Sequence, residues 1–392
     1  MGMINQHRAL LSMGIDSRVL VATKHSADPT IVQMVPNHNS WGNSRCMHII
    51  ERAACRLGLT FNDYDTYHHF IYNIRKHHNV VFDNPYSQYD VLRHPLVDKA
   101  DIVNLHYVSG FVDIPSFFGG IKKPVVWTMR DESAGLGGFH YSQDKERYYQ
   151  YFATLEDNVV NIKRKAIGRC HNLHIVSLSQ VMQHFCNTVD YLAQRPNTII
   201  YNAIEPQDYM PQDRNAVRRK YGIKDTEKVI VFVGYNLNEE RKGLHILLKA
   251  IGLLNNEHIR LVCVGHGTIN ATQAVNVVNL GSISNSQKLS EVYSMADVFV
   301  NASSQESFGK TIVEALYCGT PVVTTRVGIA PEIITPCNGA ICDSRTPESL
   351  CKAIGHALDT TYDPESIRHN ATQLFAPSNI AAKYVDLYNA YL

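Results

Sequence analysis

The sequence predicts an α/β fold in two domains, and three observations carry that expectation. The chain has 392 residues, enough to build two full cores. Short apolar runs alternate with segments of helical character along most of its length. Residues 296–325, ADVFVNASSQESFGKTIVEALYCGTPVVTT, condense the pattern into strand, loop, helix, turn and strand.

Taken in order, residues 1–13 read as a helix ending at Gly14, and residues 17–23 as a strand. A doubly wound domain ordinarily opens on a strand and a glycine-rich turn, so both are expected to be missing here. Residues 24–100 are polar and irregular, rich in Asn, His and Tyr, with two or three helices, one over 46–57. Strands are expected over 100–107, 124–129, 173–178 and 198–201, with a short helix and turn within 111–120 and a helix from Ser179. Pro206 and Pro211 punctuate a hinge near 202–212. Beyond it come strands over 228–235 and 259–265, and helices over 244–254, 286–295, 347–358 and within 375–392. In 296–325 the apolar VFV makes a buried strand, Gly309 opens a helix, Gly319 closes it, and Pro321 stops its continuation before Val322 and Val323.

Composition excludes several classes. Hydrophobic residues make up 45% and charged residues 19%, ordinary for a globular protein, and the net charge of +1 gives no pull toward nucleic acid. Nine cysteines without a C-x-x-C argue against a disulfide framework or a zinc ribbon and suit a cytoplasmic location. The 19 histidines include no H-E-x-x-H, so no metal site is expected from them. The tripeptide Asp63-Tyr64-Asp65 has the D-x-D form of a divalent-metal site, but no strong strand precedes it.

Glu314 is the anomaly. It sits among Ile312, Val313, Ala315 and Leu316, so the helix is apolar nearly all round, and a carboxylate there needs a partner. Glu306 precedes it in the loop, and the helix start between them offers backbone N–H groups. One reading is a linear site for a nucleotide sugar, hydroxyls bound by each glutamate and phosphates between. The other is a solvated Glu306 and a Glu314 paired with a neighbouring strand.

The stretch ESFGKTIVEALYCGTPVV resembles the Glu-x7-Glu signature of retaining GT-B glycosyltransferases, specifically glycosyltransferase family 4. The resemblance spans residues 7–391, strongest over 228–345. It implies two doubly wound Rossmann-like domains facing a cleft: 1–204 for the acceptor, 205–374 for the donor, and a helix at 375–392 crossing back. It implies that Glu306 contacts the donor sugar, Glu314 the ribose, and the backbone of Ser307, Phe308, Gly309, Lys310 and Thr311 the diphosphate. Arg241 and Lys242 stand where the family places cations for the leaving diphosphate; without the two glutamates they would read as a solvated basic pair. The family turn beside the nucleobase makes Ile283 a base contact, with Gly265 at the preceding strand end. The family's His-Asp after the second strand is here Arg130-Asp131, a fixed cation in the imidazole's place. His140, in the following GLGGFHY loop, is either a substitute or a loop histidine.

The implied activity is retaining, metal-independent transfer of a sugar from a nucleotide-diphosphate sugar to an acceptor hydroxyl, in cell-surface polysaccharide biosynthesis, with no cofactor beyond the donor. The acceptor would be a glycan or a lipid-linked glycan. The run Lys163-Arg164-Lys165 is either a solvated helix face or one that meets anionic lipid, at the inner face of a membrane, or a phosphorylated acceptor. Two alternatives stand beside this: a sugar-nucleotide-binding protein without turnover, and a metal-dependent GT-A transferase using Asp63 and Asp65.

Overall fold

The computed structural model describes residues 2–36, 63–75, 78, 80–269 and 275–392. The expected helix at 46–57 lies outside them. Asp63 opens a helix, Asp63–Arg75, and the side chains of Asp63 and Asp65 lie outside the description. The chain forms two compact units. One comprises Leu10–Leu178, Met182–Ile200 and Val385–Leu392; the other comprises Met1–Ala9, Ser179–Val181 and Tyr201–Tyr384. Among the described residues no helix is long and apolar enough to cross a membrane.

The first unit holds β1 (Val19–Val21) and β2 (Ile31–Gln33), a parallel pair of their own. A parallel sheet follows in the order β3 (Val103–Leu105), β4 (Val125–Thr128), β5 (Leu173–Ser177), β6 (Asn197–Ile199). β4 and β5 are buried along their whole length, as their unbroken apolar runs require. The expected strand at 100–107 shrinks to three residues at the sheet edge, leaving His106 and Tyr107 beyond its carboxyl end. The helix expected from Ser179 is broken at Val189 into Gln180–Thr188 and Asp190–Ala193. The carboxyl terminus belongs here: the Tyr388 hydroxyl accepts from Asn104 Nδ2 at 2.7 Å, and the Tyr391 hydroxyl lies 2.7 Å from His174 Nδ1.

The loop after β4 is built by the 27-residue helix Ser142–Gly168. Glu156, fully buried, accepts from the N–H groups of Gly137 and Gly138 at 2.8 Å each and pairs with Lys145 at 3.1 Å. Lys163 donates to the carbonyls of Ser133 (2.5 Å), Leu136 (3.1 Å) and Gly137. Glu132 accepts from the Ser142 N–H at 2.7 Å and so caps the helix from outside it. Phe82 stacks on Phe152 and meets Phe139 edge-on, closing the loop's apolar side. This overturns the reading of Lys163 as part of a surface run. It is buried, and burial draws its pKa below the ordinary lysine value despite Asp83, Glu156 and Asp131 nearby. Arg164, beside it, pairs with Asp190 at 2.9 Å.

At the end of this loop the buried His140 stands between two carboxylates, Nδ1 2.7 Å from Asp131 Oδ2 and Nε2 2.8 Å from Asp83 Oδ2. Burial alone would lower its pKa, but hydrogen bonds and charge from Asp131 and Asp83 win and raise it to about 9. His140 is therefore a loop histidine held as a buried imidazolium.

The second unit is a six-stranded parallel sheet. Its strands are β7 (Lys228–Asn236), β8 (Ile259–His266), β9 (Asn276–Asn279), β10 (Val298–Asn301), β11 (Val322–Thr324) and β12 (Gly339–Ile341). Their order across the sheet is β12-β11-β10-β7-β8-β9. Alternate residues of the central strands, Ile230, Phe232, Leu261, Cys263, Val298 and Val300, join one cluster with Leu247, Ile251 and Ile354 of the covering helices. The residues between them, Val229, Val231 and Phe299, are equally buried on the other face. Both faces are covered, which is why these strands read as continuous rather than alternating. Helix Leu244–Leu254 presents Leu244, Leu247, Ala250 and Ile251 at helical spacing to that core.

Two outcomes test the loop. Lys163→Met should lower the unfolding free energy by about 3 kcal/mol or more in urea titration, because Glu156 loses a nearby cation and three carbonyls lose their donor. For His140 the folded pKa lies above the unfolded value of 6.5, so its stabilisation is complete below pH 6.5 and is lost as pH rises through about 9. His140→Gln should cost up to about 3 kcal/mol at pH 6 and almost nothing at pH 10.

Candidate active site

The chain reverses direction across the second sheet between β7 and β10: β8 and β9 are laid on one side, β11 and β12 on the other. In open α/β sheets the crevice outside the carboxyl ends of the strands at such a reversal is where ligands bind. Here the two loops that flank it are laced together. Ser304 N–H donates to the Arg241 carbonyl at 2.8 Å, and the Arg241 guanidinium donates to the Gln305 carbonyl at 2.8 Å. Arg345 spans both loops, donating to the carbonyls of Ala302 and Glu240 at 3.0 Å each. Gly243, at φ +78, lets the β7 loop pass so close that a Cβ would fall 2.2 Å from the Ala302 carbonyl oxygen.

Sequence-predicted residues meet at this point. Lys242 Nζ lies 2.6 Å from Glu306 Oε1, and Arg241 lies 3.9 Å from Glu306 Oε2. The Ser303 hydroxyl donates to Glu306 Oε1, the oxygen that Lys242 meets, at 2.8 Å. Arg241 is itself held by Glu239 at 2.6 Å. Burial would push the Glu306 pKa up, but the charges of Lys242 and Arg241 and the two hydrogen bonds outweigh it and hold the carboxyl below its ordinary range. Glu306 is thus an ionised carboxylate backed by two cations, not a solvated one.

Glu314 is 3% exposed on helix Lys310–Tyr317. Its partner is not a strand. The Tyr209 hydroxyl donates to Oε1 at 2.9 Å, the Tyr293 hydroxyl to Oε2 at 2.8 Å, and Lys310 Nζ lies 2.9 Å from Oε1. Gly309 precedes the helix, whose first amides have no acceptor within it. Phe308 packs edge-on against Phe375, so its side chain serves the core. Ser307 is buried beside it, while Thr311 is half-buried on the first turn. Gly265 ends β8 with its N–H donating to the Gly281 carbonyl, and a Cβ there would fall 2.0 Å from the Gly234 oxygen. That glycine is demanded by the neighbouring strand. Ile283 is half-buried in the loop between β9 and helix Ser286–Ser294.

Arg130 and Asp131 belong to the other unit, at the carboxyl end of β4. Arg130 donates to His106 Nδ1, with contacts of 3.2 and 2.8 Å. Burial and then the Arg130 charge keep His106 well below its ordinary pKa, so its ring is neutral and accepts through Nδ1. Asp131 receives His140 on one oxygen and the Ser133 N–H, at 3.0 Å, on the other. Burial raises the Asp131 pKa, but those hydrogen bonds and the His140 charge bring it below the ordinary value.

Sequence reasoning missed Tyr209, Tyr293, Ser303, Asp83 and His106. Ser303 had a signal, three residues before Glu306. The others had none, since nothing in the linear order brings them to their partners.

Residues 213–374 match the family described as Glycosyl transferases group 1. An uncharacterized glycosyltransferase of Methanocaldococcus jannaschii is 26% identical over 314 residues, covering 74% of this chain and 76% of that one. The D-inositol 3-phosphate glycosyltransferase of Segniliparus rotundus is 32% identical over 175 residues, which is 41% of this chain and 38% of that protein. Among solved structures, the sucrose-phosphate synthase of Thermosynechococcus elongatus superposes with a TM-score of 0.63 at 16% identity, over 98% of this chain and 91% of that one. That likeness carries the fold alone, and with it the metal-dependent GT-A alternative on Asp63 and Asp65 falls. The match over residues 213–374 and these likenesses together make the chain a nucleotide-sugar-dependent glycosyltransferase of the GT-B fold, similar over that stretch to the glycosyl transferases group 1.

Proposed function

We propose that the protein transfers a sugar from a nucleotide-diphosphate sugar to an acceptor hydroxyl with retention at the anomeric carbon and without a metal ion. The observation that carries this reading is the Lys242–Glu306 pair, backed by Arg241, at the reversal between β7 and β10. In the proposed reaction the bond between the anomeric carbon and the phosphate oxygen breaks, and the acceptor oxygen bonds to that carbon from the same face. The acceptor's proton passes to the departing phosphate oxygen. Arg241, Lys242 and the amides of residues 307–311 stabilise the charge growing on the diphosphate, supplying within the chain what a divalent ion would otherwise provide. Glu306 orients the donor sugar, and Glu314 anchors the ribose. Ile283 contacts the base, beside the turn that Gly265 shapes. The acceptor is a glycan or lipid-linked glycan of cell-surface polysaccharide synthesis, met in the cytoplasm or at the inner face of a membrane. With Lys163 buried, membrane contact does not rest on the 163–165 run.

Donor hydrolysis, screened over UDP-, GDP- and ADP-sugars with a chelator present, is the test. One donor should be hydrolysed at a rate indifferent to chelator, and Glu306→Ala and Lys242→Ala should each lower that rate by about 100-fold or more. Unchanged rates in both variants would sink the assigned roles, and loss of activity with chelator would sink metal independence. Nucleotide binding with no turnover of any donor would favour a sugar-nucleotide-binding protein. The anomeric configuration of the transferred sugar, read by NMR, should match that of the donor.

A further inference from the structure

We propose that Tyr209 and Tyr293 are positioning residues that set the Glu314 carboxylate to receive the ribose hydroxyls of the donor, a proposal that rests on the reading of Glu314 given above. A carboxylate has roughly four acceptor positions. Three are filled here: Tyr209 and Lys310 on Oε1, Tyr293 on Oε2. One tyrosine hydroxyl on each oxygen fixes the carboxylate plane, so the positions the tyrosines leave point in set directions instead of sweeping with side-chain rotation.

Both tyrosines are rigidly placed. Tyr293 is fully buried on helix Ser286–Ser294, its ring edge-on to Phe299 with centroids 5.5 Å apart. Tyr209 follows the short turn Pro206–Asp208, and its carbonyl accepts from Arg368 at 2.8 Å. Burial first, and then the Glu314 charge, raise both phenol pKa values far above their ordinary range. Both hydroxyls therefore remain protonated donors. The third donor differs: the Lys310 side chain is 38% exposed, lies 2.9 Å from Glu314 and sits 3.3 Å from the Tyr209 hydroxyl. The exposed approach to the carboxylate is thus from the lysine, and a ribose hydroxyl entering there takes over the Lys310 position on Oε1 while the two tyrosine hydroxyls, one on each oxygen, hold the carboxylate still.

The competing account is that the hydroxyls only satisfy a buried ion. The two accounts part on which ligands suffer when a hydroxyl is removed. A merely structural loss weakens every nucleotide alike. A positioning loss weakens only nucleotides that carry ribose hydroxyls, and spares their deoxy analogues.

Calorimetry with UDP, GDP and ADP on the full chain identifies the diphosphate bound most tightly, and the same measurement is repeated with its 2′,3′-dideoxy analogue. Wild type should prefer the ribose form by about 30-fold, the range expected for hydrogen bonds to a charged group. Tyr209→Phe and Tyr293→Phe should each reduce that preference below about 5-fold while binding the dideoxy analogue within about twofold of wild type; retained dideoxy binding also certifies the fold. Equal weakening of both ligands, or an unchanged preference, overturns the proposal. A wild-type preference near one removes the ribose role of Glu314 itself, and the proposal with it. Failure of wild type to bind any of the three diphosphates removes the donor reading at its root.

Discussion

The second unit depends on two loops behaving as one. The turn after β7 and the turn after β10 are separated by some sixty residues, yet Gly243 presses against Ala302, Ser304 bonds back to Arg241, and Arg345 bridges both. Backbone-to-backbone contacts and the guanidinium-to-carbonyl contacts of Arg241 and Arg345 hold these turns. The cations and the carboxylate that face the crevice are therefore mounted on a frame that predates any ligand. Preorganisation of this kind is what makes charge stabilisation effective, since the groups need not be gathered when charge develops.

The two glutamates are held in different ways, and the difference follows from their surroundings. Glu306 sits on a loop and is balanced by formal positive charge from Lys242 and Arg241. Glu314 sits inside an apolar helix and is balanced mostly by neutral hydroxyls whose dipoles cannot ionise away. A carboxylate paired with ammonium groups can share those cations with an arriving phosphate. A carboxylate paired with phenols cannot lose its partners to an anion, and so keeps its orientation while the phosphates bind.

Much of the second unit was readable in the chain because its physics is local. Val229 to Val233 makes an unbroken apolar run, and Leu244–Leu254 carries a clear helical stripe, so both elements emerge from periodicity. The meeting of Arg241, Lys242 and Glu306 was readable only through family resemblance, since 64 residues part the lysine from its carboxylate. Tyr209, which lies 105 residues from Glu314, has no linear trace at all. The first unit was harder because its organising groups look like surface. Lys163 stands in a run of three cations, and run-based reasoning assigns such a run to one solvated face. A helix turns 100° per residue, so adjacent charges point in different directions, and this lysine points inward. His140 stayed open for a related reason: its glycine-rich neighbours give no linear sign that Glu156 and Lys163 fasten those glycines in place.

The dependence of the 131–140 loop on the helix behind it bears on how this chain could be recombined with others. Gly137 and Gly138 give their N–H groups to a carboxylate that lies almost twenty residues further on, and a Cβ at either would collide with Glu156 or Phe82. A chimaera that exchanged this loop alone would carry over the donors and leave their acceptor behind. The loop, Phe82 and the face of helix Ser142–Gly168 bearing Glu156 and Lys163 form one transplantable cassette, and any reshaping of the loop that carries Asp131 must move all of it together.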